Sequence, residues 1–181
     1  MMERDDNELV MQTLNGNRFT FGMLIDRYQQ TIFNIMLRLT GDYETARDLT
    51  QDVFIKAWEK LGSFKFKYRF YSWIYRIAIN EAINFNRKKK SIKPVEKPLT
   101  ANEEFEENSD EYHEMTLLYA EIQQLKMDYR VLVVLKYFCD LSYEEMAEVT
   151  KTSVKKVRSR LFSARELMRL GLMQKNFFDN D

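Results

Sequence analysis

Between Phe64 and Trp73 the chain reads FKFKYRFYSW, so that Lys65, Lys67 and Arg69 alternate with Phe64, Phe66, Tyr68 and Phe70. Cations set between ring faces suit a surface that grips phosphates while its rings stack unpaired bases. A second basic stretch, Lys151–Leu170, carries seven Lys/Arg against one acid, Glu166. A third set is polar rather than basic: Asp48, Gln51, Asp52 and Ile55 recur at i, i+3, i+4 and i+7, one face of a helix. From spacing alone that face reads as an ordinary wet one.

Charge is distributed to match. The 181 residues balance 28 Lys/Arg against 28 Asp/Glu. Residues 1–90 nevertheless net +4, residues 91–127 net −6 and residues 128–181 net +2. Within the basic blocks, Lys65–Lys90 nets +7 and Lys151–Leu170 nets +6. Local patches of this kind, not overall charge, decide where a polyanion binds.

The elements that must position these residues are helical, and the expected fold is all-α, two small domains joined by a flexible acidic linker. Leu9, Val10, Met11 and Leu14 give a short first helix closed by Asn15-Gly16. Apolar residues from Phe21 to Leu39 keep helical spacing up to Gly41, a natural C-cap. Asp42 then caps a helix that buries Ala46, Leu49, Val53, Ala57 and Leu61. The next helix buries Phe70, Trp73, Ile74, Ile77, Ala78 and Ile83, so Phe70 and Trp73 belong to the core beneath the basic-aromatic surface. Phe64, Phe66 and Tyr68 alternate and are harder to bury together. The first domain is placed at 1–90.

Pro94, Pro98 and the acidic run from Glu103 to Glu111 read as a linker over 91–111. About 21 such residues at ~3.4 Å each reach roughly 70 Å, about two turns of duplex DNA. The second domain is placed at 112–174. Leu117, Leu118, Ile122 and Leu125 form one stripe, and Asp128 is expected to cap a helix carrying Val131, Leu132, Val134, Leu135 and Phe138. Ser142 to Glu145 is a capping box, starting a short helix to about Val149. After the turn Lys151-Thr152-Ser153 another helix runs to about Leu170. Small Ala147 in the first of the pair and Val154, Val157 and Leu161 in the second are helix-turn-helix spacing. The second helix turns Lys155, Lys156, Arg158, Ser159, Arg160, Phe162 and Arg165 outward, types able to reach phosphates and base edges. Lys151 stands at a turn position often filled by glycine, where a left-handed backbone costs roughly 1 kcal/mol.

With those residues in place, two segments resemble a known family. ARDLTQDVFIKAW, followed by SFKFKYRFYSWIYRIAINEAIN, resembles region two of bacterial sigma factors. LKMDYRVLVVLKYFCDLSYEEMAEVTKTSVKKVRSRLFSARELM resembles their region four. The order of the regions and the small size are similar to the extracytoplasmic-function group. The resemblance implies that Asp48, Leu49, Gln51, Asp52 and Ile55 dock on core RNA polymerase, which reverses the plain reading of that face. It implies that the loop Phe64–Tyr71 and the helix through Asn80 open a promoter element and capture a flipped base, with Arg76 and Asn80 as readers. Arg87, Lys88, Lys89 and Lys90 would hold backbone phosphates. The helix-turn-helix residues, with Ser153, would read the farther promoter element. An anti-sigma partner, often membrane-tethered, is implied too. Lys151 and Ser153 depart from the Gly and frequent Pro of the family.

Other classes fare worse. His113 and Cys139 stand alone, and no metal-ligand cluster, glycine-rich phosphate loop or catalytic triad is present, so neither an enzyme nor a cofactor is expected. One cysteine, an acidic N-terminus and the lack of a long apolar run point to a cytoplasmic protein without membrane insertion, monomeric when free. The rival reading is a stand-alone helix-turn-helix regulator, which has no use for a loop suited to single strands.

Overall fold

The computed structural model describes residues 5–89 and 110–175, with the side chains of Lys89 and residues 110–114 left aside. Every regular element among them is helical: α1 Asp6–Leu14, α2 Arg18–Thr40, α3 Tyr43–Lys60, α4 Phe70–Lys89, α5 Asp110–Gln124, α6 Met127–Tyr137, α7 Tyr143–Thr150 and α8 Val154–Gln174, with one 3-10 turn at Leu61–Ser63. The linker expected over 91–111 lies outside the described residues except for its last two, which already open α5.

In the first half, α2 is the spine. Its N-terminus is capped by the Asn17 side chain, and it ends on Gly41 in the left-handed region at φ 73°, whose N–H reaches the Leu37 carbonyl at 2.9 Å. α1 is clipped to it by Asp6, which takes both the Arg27 guanidinium and the Tyr28 hydroxyl. Burial, then that carboxylate, push the Tyr28 phenol well up. α1 buries Leu9 and Val10 but leaves Met11 and Leu14 exposed. Asp42 caps α3 as expected, accepting from the Thr45 N–H at 2.8 Å. α3 buries Ala46, Leu49, Val53, Phe54 and Ala57 against α2, and α4 closes the bundle with Phe70, Ile74, Ala78 and Ala82.

In the second half, α6 is buried on every side from Val131 to Leu135, because it is packed between α8, α7 and α2. Asp128 is not its cap. The N-cap is Lys126, without a side-chain bond, and Asp128 sits in the first turn, where its charge suits the helix dipole and pairs with Arg160 at 3.0 Å. The Ser142–Glu145 capping box is complete in both directions. Glu121 of α5, a buried carboxylate, pairs with Lys175 at 2.7 Å. A Cβ on residue 171 would stand 1.9 Å from it, so Gly171 is what lets α5 approach α8.

The two halves close on one another. α5 and α6 pack on α2, and α7 packs on α4.

Candidate nucleic-acid interface

The basic-aromatic loop is built on a ring cluster. Phe64 is buried, with ring centroids 5.3 Å from Phe66, 5.8 Å from Phe70 and 5.6 Å from Trp73. Phe64, Phe66 and Tyr68 are thus not buried together: Phe64 goes under and the other two stay out. Phe70 is core and Trp73 is half-buried against it. Phe66 and Tyr68 remain exposed on this base, with Lys65, Lys67 and Arg69 exposed around them and the Lys67 ammonium 4.9 Å from the Tyr68 ring centre. Two open rings among three cations make a stacking platform with phosphate grips.

On α3 the outer face is open. Asp48, Gln51, Asp52 and Ile55 are exposed, and Arg47 is held by Glu44 at 2.7 Å and leans toward Asp48 at 3.8 Å. Leu49 is different: it is buried in the core, so its part in any docking is to fix the helix beneath the face. The exposed Trp58, edge-on to Phe21 at 5.0 Å, and the exposed Phe19 were not singled out from sequence. Their only sequence signal is that each falls off the buried stripe of its helix.

Along α4 the picture changes. Arg76 donates to the Glu148 carbonyl of α7 at 2.8 Å, and Tyr71 donates to the Glu145 carboxylate. That hydrogen bond and the Ser142 N–H hold the Glu145 carboxyl below its ordinary range, and burial followed by Glu145 raises the Tyr71 phenol. Arg76 and Asn80 line a cavity of about 130 Å³ whose opposite wall holds Asp128, Lys151 and Arg160. Of the residues expected to read a base, Arg76 is thus engaged by the second half of the chain, while Asn80 beside it is exposed. Arg87 and Lys88 lie exposed at the far end of α4, while Lys89's side chain and Lys90 lie outside the described residues.

The helix-turn-helix forms as its spacing predicts. Lys151 adopts the left-handed region at φ 51°, ψ 45°, and its N–H caps α7. Ser153 accepts from the Lys156 N–H at 3.3 Å, so it is the N-cap of α8. Val157 and Leu161 are buried anchors. Lys155, Lys156, Arg158, Ser159, Phe162 and Arg165 are exposed. Tyr143 and Tyr137 steer two of them: the Arg158 guanidinium lies 5.2 Å from the Tyr143 ring centre, and Arg165 donates to the Tyr137 hydroxyl at 2.7 Å. Arg160 is turned the other way, onto Asp128.

This geometry is matched by known proteins. Residues 24–92 match the sequence family Sigma-70 region 2, and residues 115–168 match Sigma-70, region 4. The RNA polymerase sigma-H factor of Pseudomonas aeruginosa is 36% identical over 92% of this chain and 93% of its own length. The chain belongs to the extracytoplasmic-function sigma factors. The sigma-E factor of Escherichia coli K12 is 31% identical, over 89% of this chain and 91% of its own. Among solved structures, CnrH in complex with the cytosolic domain of CnrY shares the fold, with a TM-score of 0.73 and 24% identity over 93% of this chain and 97% of that one. In this sigma factor the α2–α4 part of the first half is region two, and α5–α8 fall in region four. As a sigma factor it belongs to a non-enzymatic family that serves transcription initiation, with a DNA-binding helix-turn-helix. No helix among the described residues is long and apolar enough to cross a membrane.

Proposed function

We propose that this sigma factor binds core RNA polymerase through the open face of α3, brings it to a two-element promoter and assists melting. Residues 1–90 carry polymerase docking and strand capture, residues 112–174 read the farther element, and the acidic linker joins them. One observation carries the reading: a single chain bears a solvent-facing acidic helix face, exposed rings among cations, and an independent helix-turn-helix. Asp48, Gln51, Asp52 and Ile55 meet the polymerase. Phe66 and Tyr68 stack on the unpaired strand, with Lys65, Lys67, Arg69, Arg87, Lys88 and Lys89 on phosphates and Arg76 and Asn80 at the base. Extruding a base costs a few kcal/mol, which stacking and edge hydrogen bonds offset. Lys155, Lys156, Arg158, Ser159 and Arg165 read the duplex, with Ser153 and Arg160 holding the helix in place.

The protein works in the cytoplasm, and an anti-sigma factor controls it. Solved structures with this fold include CnrH with the cytosolic domain of CnrY and a sigma factor RpoE with the anti-sigma factor NepR from Bartonella quintana. A pulldown with purified core polymerase tests the central claim. Capture by wild type and its loss in Asp52→Lys support it; no complex, or one indifferent to that reversal, sinks it. Sequencing transcripts made by the reconstituted holoenzyme then yields the promoter.

A further inference from the structure

The cavity between α4 and the helix-turn-helix holds more donors than partners for them. Its volume is about 130 Å³, and Arg76, Lys151 and Arg160 bring three cations to its lining against one carboxylate, Asp128. That carboxylate is held by Arg160 at 3.0 Å and neutralises neither of the other two. Arg76 commits one N–H, to the Glu148 carbonyl at 2.8 Å, and its Nε is buried without a partner. The Asn80 amide, the Lys151 ammonium and the Thr152 hydroxyl line the same space and bond to no other group among the described residues. Asn80 and Lys151 are exposed, so the space opens to solvent beside them, while the buried Ile79, Val131 and Val149 give it apolar walls. Such walls lower the local dielectric and strengthen any charge pair formed against them.

We propose that this cavity is a binding site for a doubly charged phosphate group, either free or at the end of a small ester. A guanidinium fork and an ammonium are natural partners of phosphate oxygens, and the amide and hydroxyl donate to those that remain. Two uncompensated cations match a dianion, whereas a neutral ligand would leave both charges facing apolar walls. Size sets the rest. Pockets for whole drug-sized ligands start near ~300 Å³, so this one holds the phosphate and leaves the body of an ester outside, past Asn80 and Lys151. The lining comes from α4 on one side and from α6 to α8 on the other, so a bound anion joins the two halves and stabilises the folded chain by mass action. A filled site also occupies Arg76 and Asn80. That it thereby competes with promoter capture rests on the function proposed above; the site itself does not.

The test uses the free full chain, without polymerase or DNA, in chloride buffer of fixed ionic strength. It is titrated calorimetrically with inorganic diphosphate, inorganic phosphate and ADP, and its melting temperature is read with and without diphosphate. Wild type is expected to bind one diphosphate per chain and to melt higher when it is bound. Asn80→Asp sets a carboxylate at the opening, at an exposed position that leaves the fold alone, and should weaken binding more than about tenfold. Lys151→Gly removes a cation from a left-handed turn that glycine also adopts, and should weaken it about tenfold. Lys60→Ala, an exposed cation outside the cavity, should leave it within about twofold. ADP tighter than diphosphate would identify the ligand as a nucleotide, and diphosphate tighter than ADP as the inorganic anion; either keeps the phosphate in the cavity. No saturable binding, equal binding by wild type and Asn80→Asp, or a loss shared by Lys60→Ala would each overturn the site. Failure of the polymerase pulldown leaves these titrations as they are and overturns the proposed function alone.

Discussion

The outer face of α3 and the reading face of α4 belong to one small bundle and meet opposite fates. Asp48, Gln51, Asp52 and Ile55 stand in solvent, and α3 packs on α2 and α4. One helix away, Tyr71 and Arg76 are bonded to α7, and Asn80 lines a cavity walled by region four. The α3 face is open, whereas Tyr71 and Arg76 of α4 are engaged by α7 and Asn80 stays exposed beside them. That difference separates two charge types. Exposed carboxylates on α3 steer a basic partner at long range, whereas Arg76 gains its specificity only at contact.

The largest effect is expected from Arg130→Met, which strikes the junction between the two faces. It removes a cation with four acceptors, leaves the Gln123 and Leu125 carbonyls short of a donor, and leaves the Leu39 carbonyl only the 3.4 Å bond from Asn86. Buried groups left unpaired cost more than the bond was worth, so a loss of about 3 kcal/mol in urea denaturation is expected. Unchanged stability would mean that the junction is water-filled and the contrast between the faces is false.

Reversing the open face comes next. Asp48→Lys with Asp52→Lys should weaken polymerase binding roughly 100-fold, about 2.7 kcal/mol, with little change in melting temperature because neither carboxylate is buried. Equal loss from Arg76→Ala in the same polymerase titration, without DNA, would erase the distinction between the two faces.

Much of this was legible in the residues, and the part that was not has a physical reason. The caps at Asp42, Ser142 and Gly41 are local, each decided within four residues, so spacing alone located them. The helix-turn-helix followed from Ala147, Val157 and Leu161 in the same way. Asp128 misled because an acid in the first turn and an acid at the N-cap look alike in sequence, and only the backbone separates them. Which of Phe64, Phe66 and Tyr68 goes under was not legible, because an alternating pattern says nothing of a loop that folds one ring under its neighbours. The packing of α5 and α6 on α2 was invisible: Gln123 and Arg130 reach the Arg38 and Leu39 carbonyls across 85 residues or more, and each looks like a solvated helix face. Long-range pairs between ordinary polar residues leave no periodic trace.

A third comparison is within region four. Arg158 lies over Tyr143 on the exposed side of α8, and Arg160, two residues on, is bound to Asp128. Arg158→Ala should lower affinity for the farther promoter element by about 1–3 kcal/mol if it reads a base, and uniformly across sequences if it grips a phosphate. Arg160→Ala should leave that affinity nearly unchanged and loosen the hold of α8 on α6. A titration of labelled duplexes against both variants distinguishes them, and equal losses would show that Arg160 leaves Asp128 to reach DNA.

The smallest effect tests whether Lys151 is tolerated or used. Its left-handed backbone costs roughly 1 kcal/mol relative to glycine, part of which glycine returns through its freer unfolded chain. Lys151→Gly should therefore stabilise region four by somewhat under ~1 kcal/mol in thermal melts. Lys151 is exposed and lines the cavity together with Arg76 and Arg160. If it also touches a phosphate of the bound duplex, the slope of log affinity against log salt falls by about one in the glycine variant. A stabilised protein with an unchanged slope would mark the residue as strain without a use. A reduced slope would mean that the turn keeps a strained cation because duplex binding uses its charge.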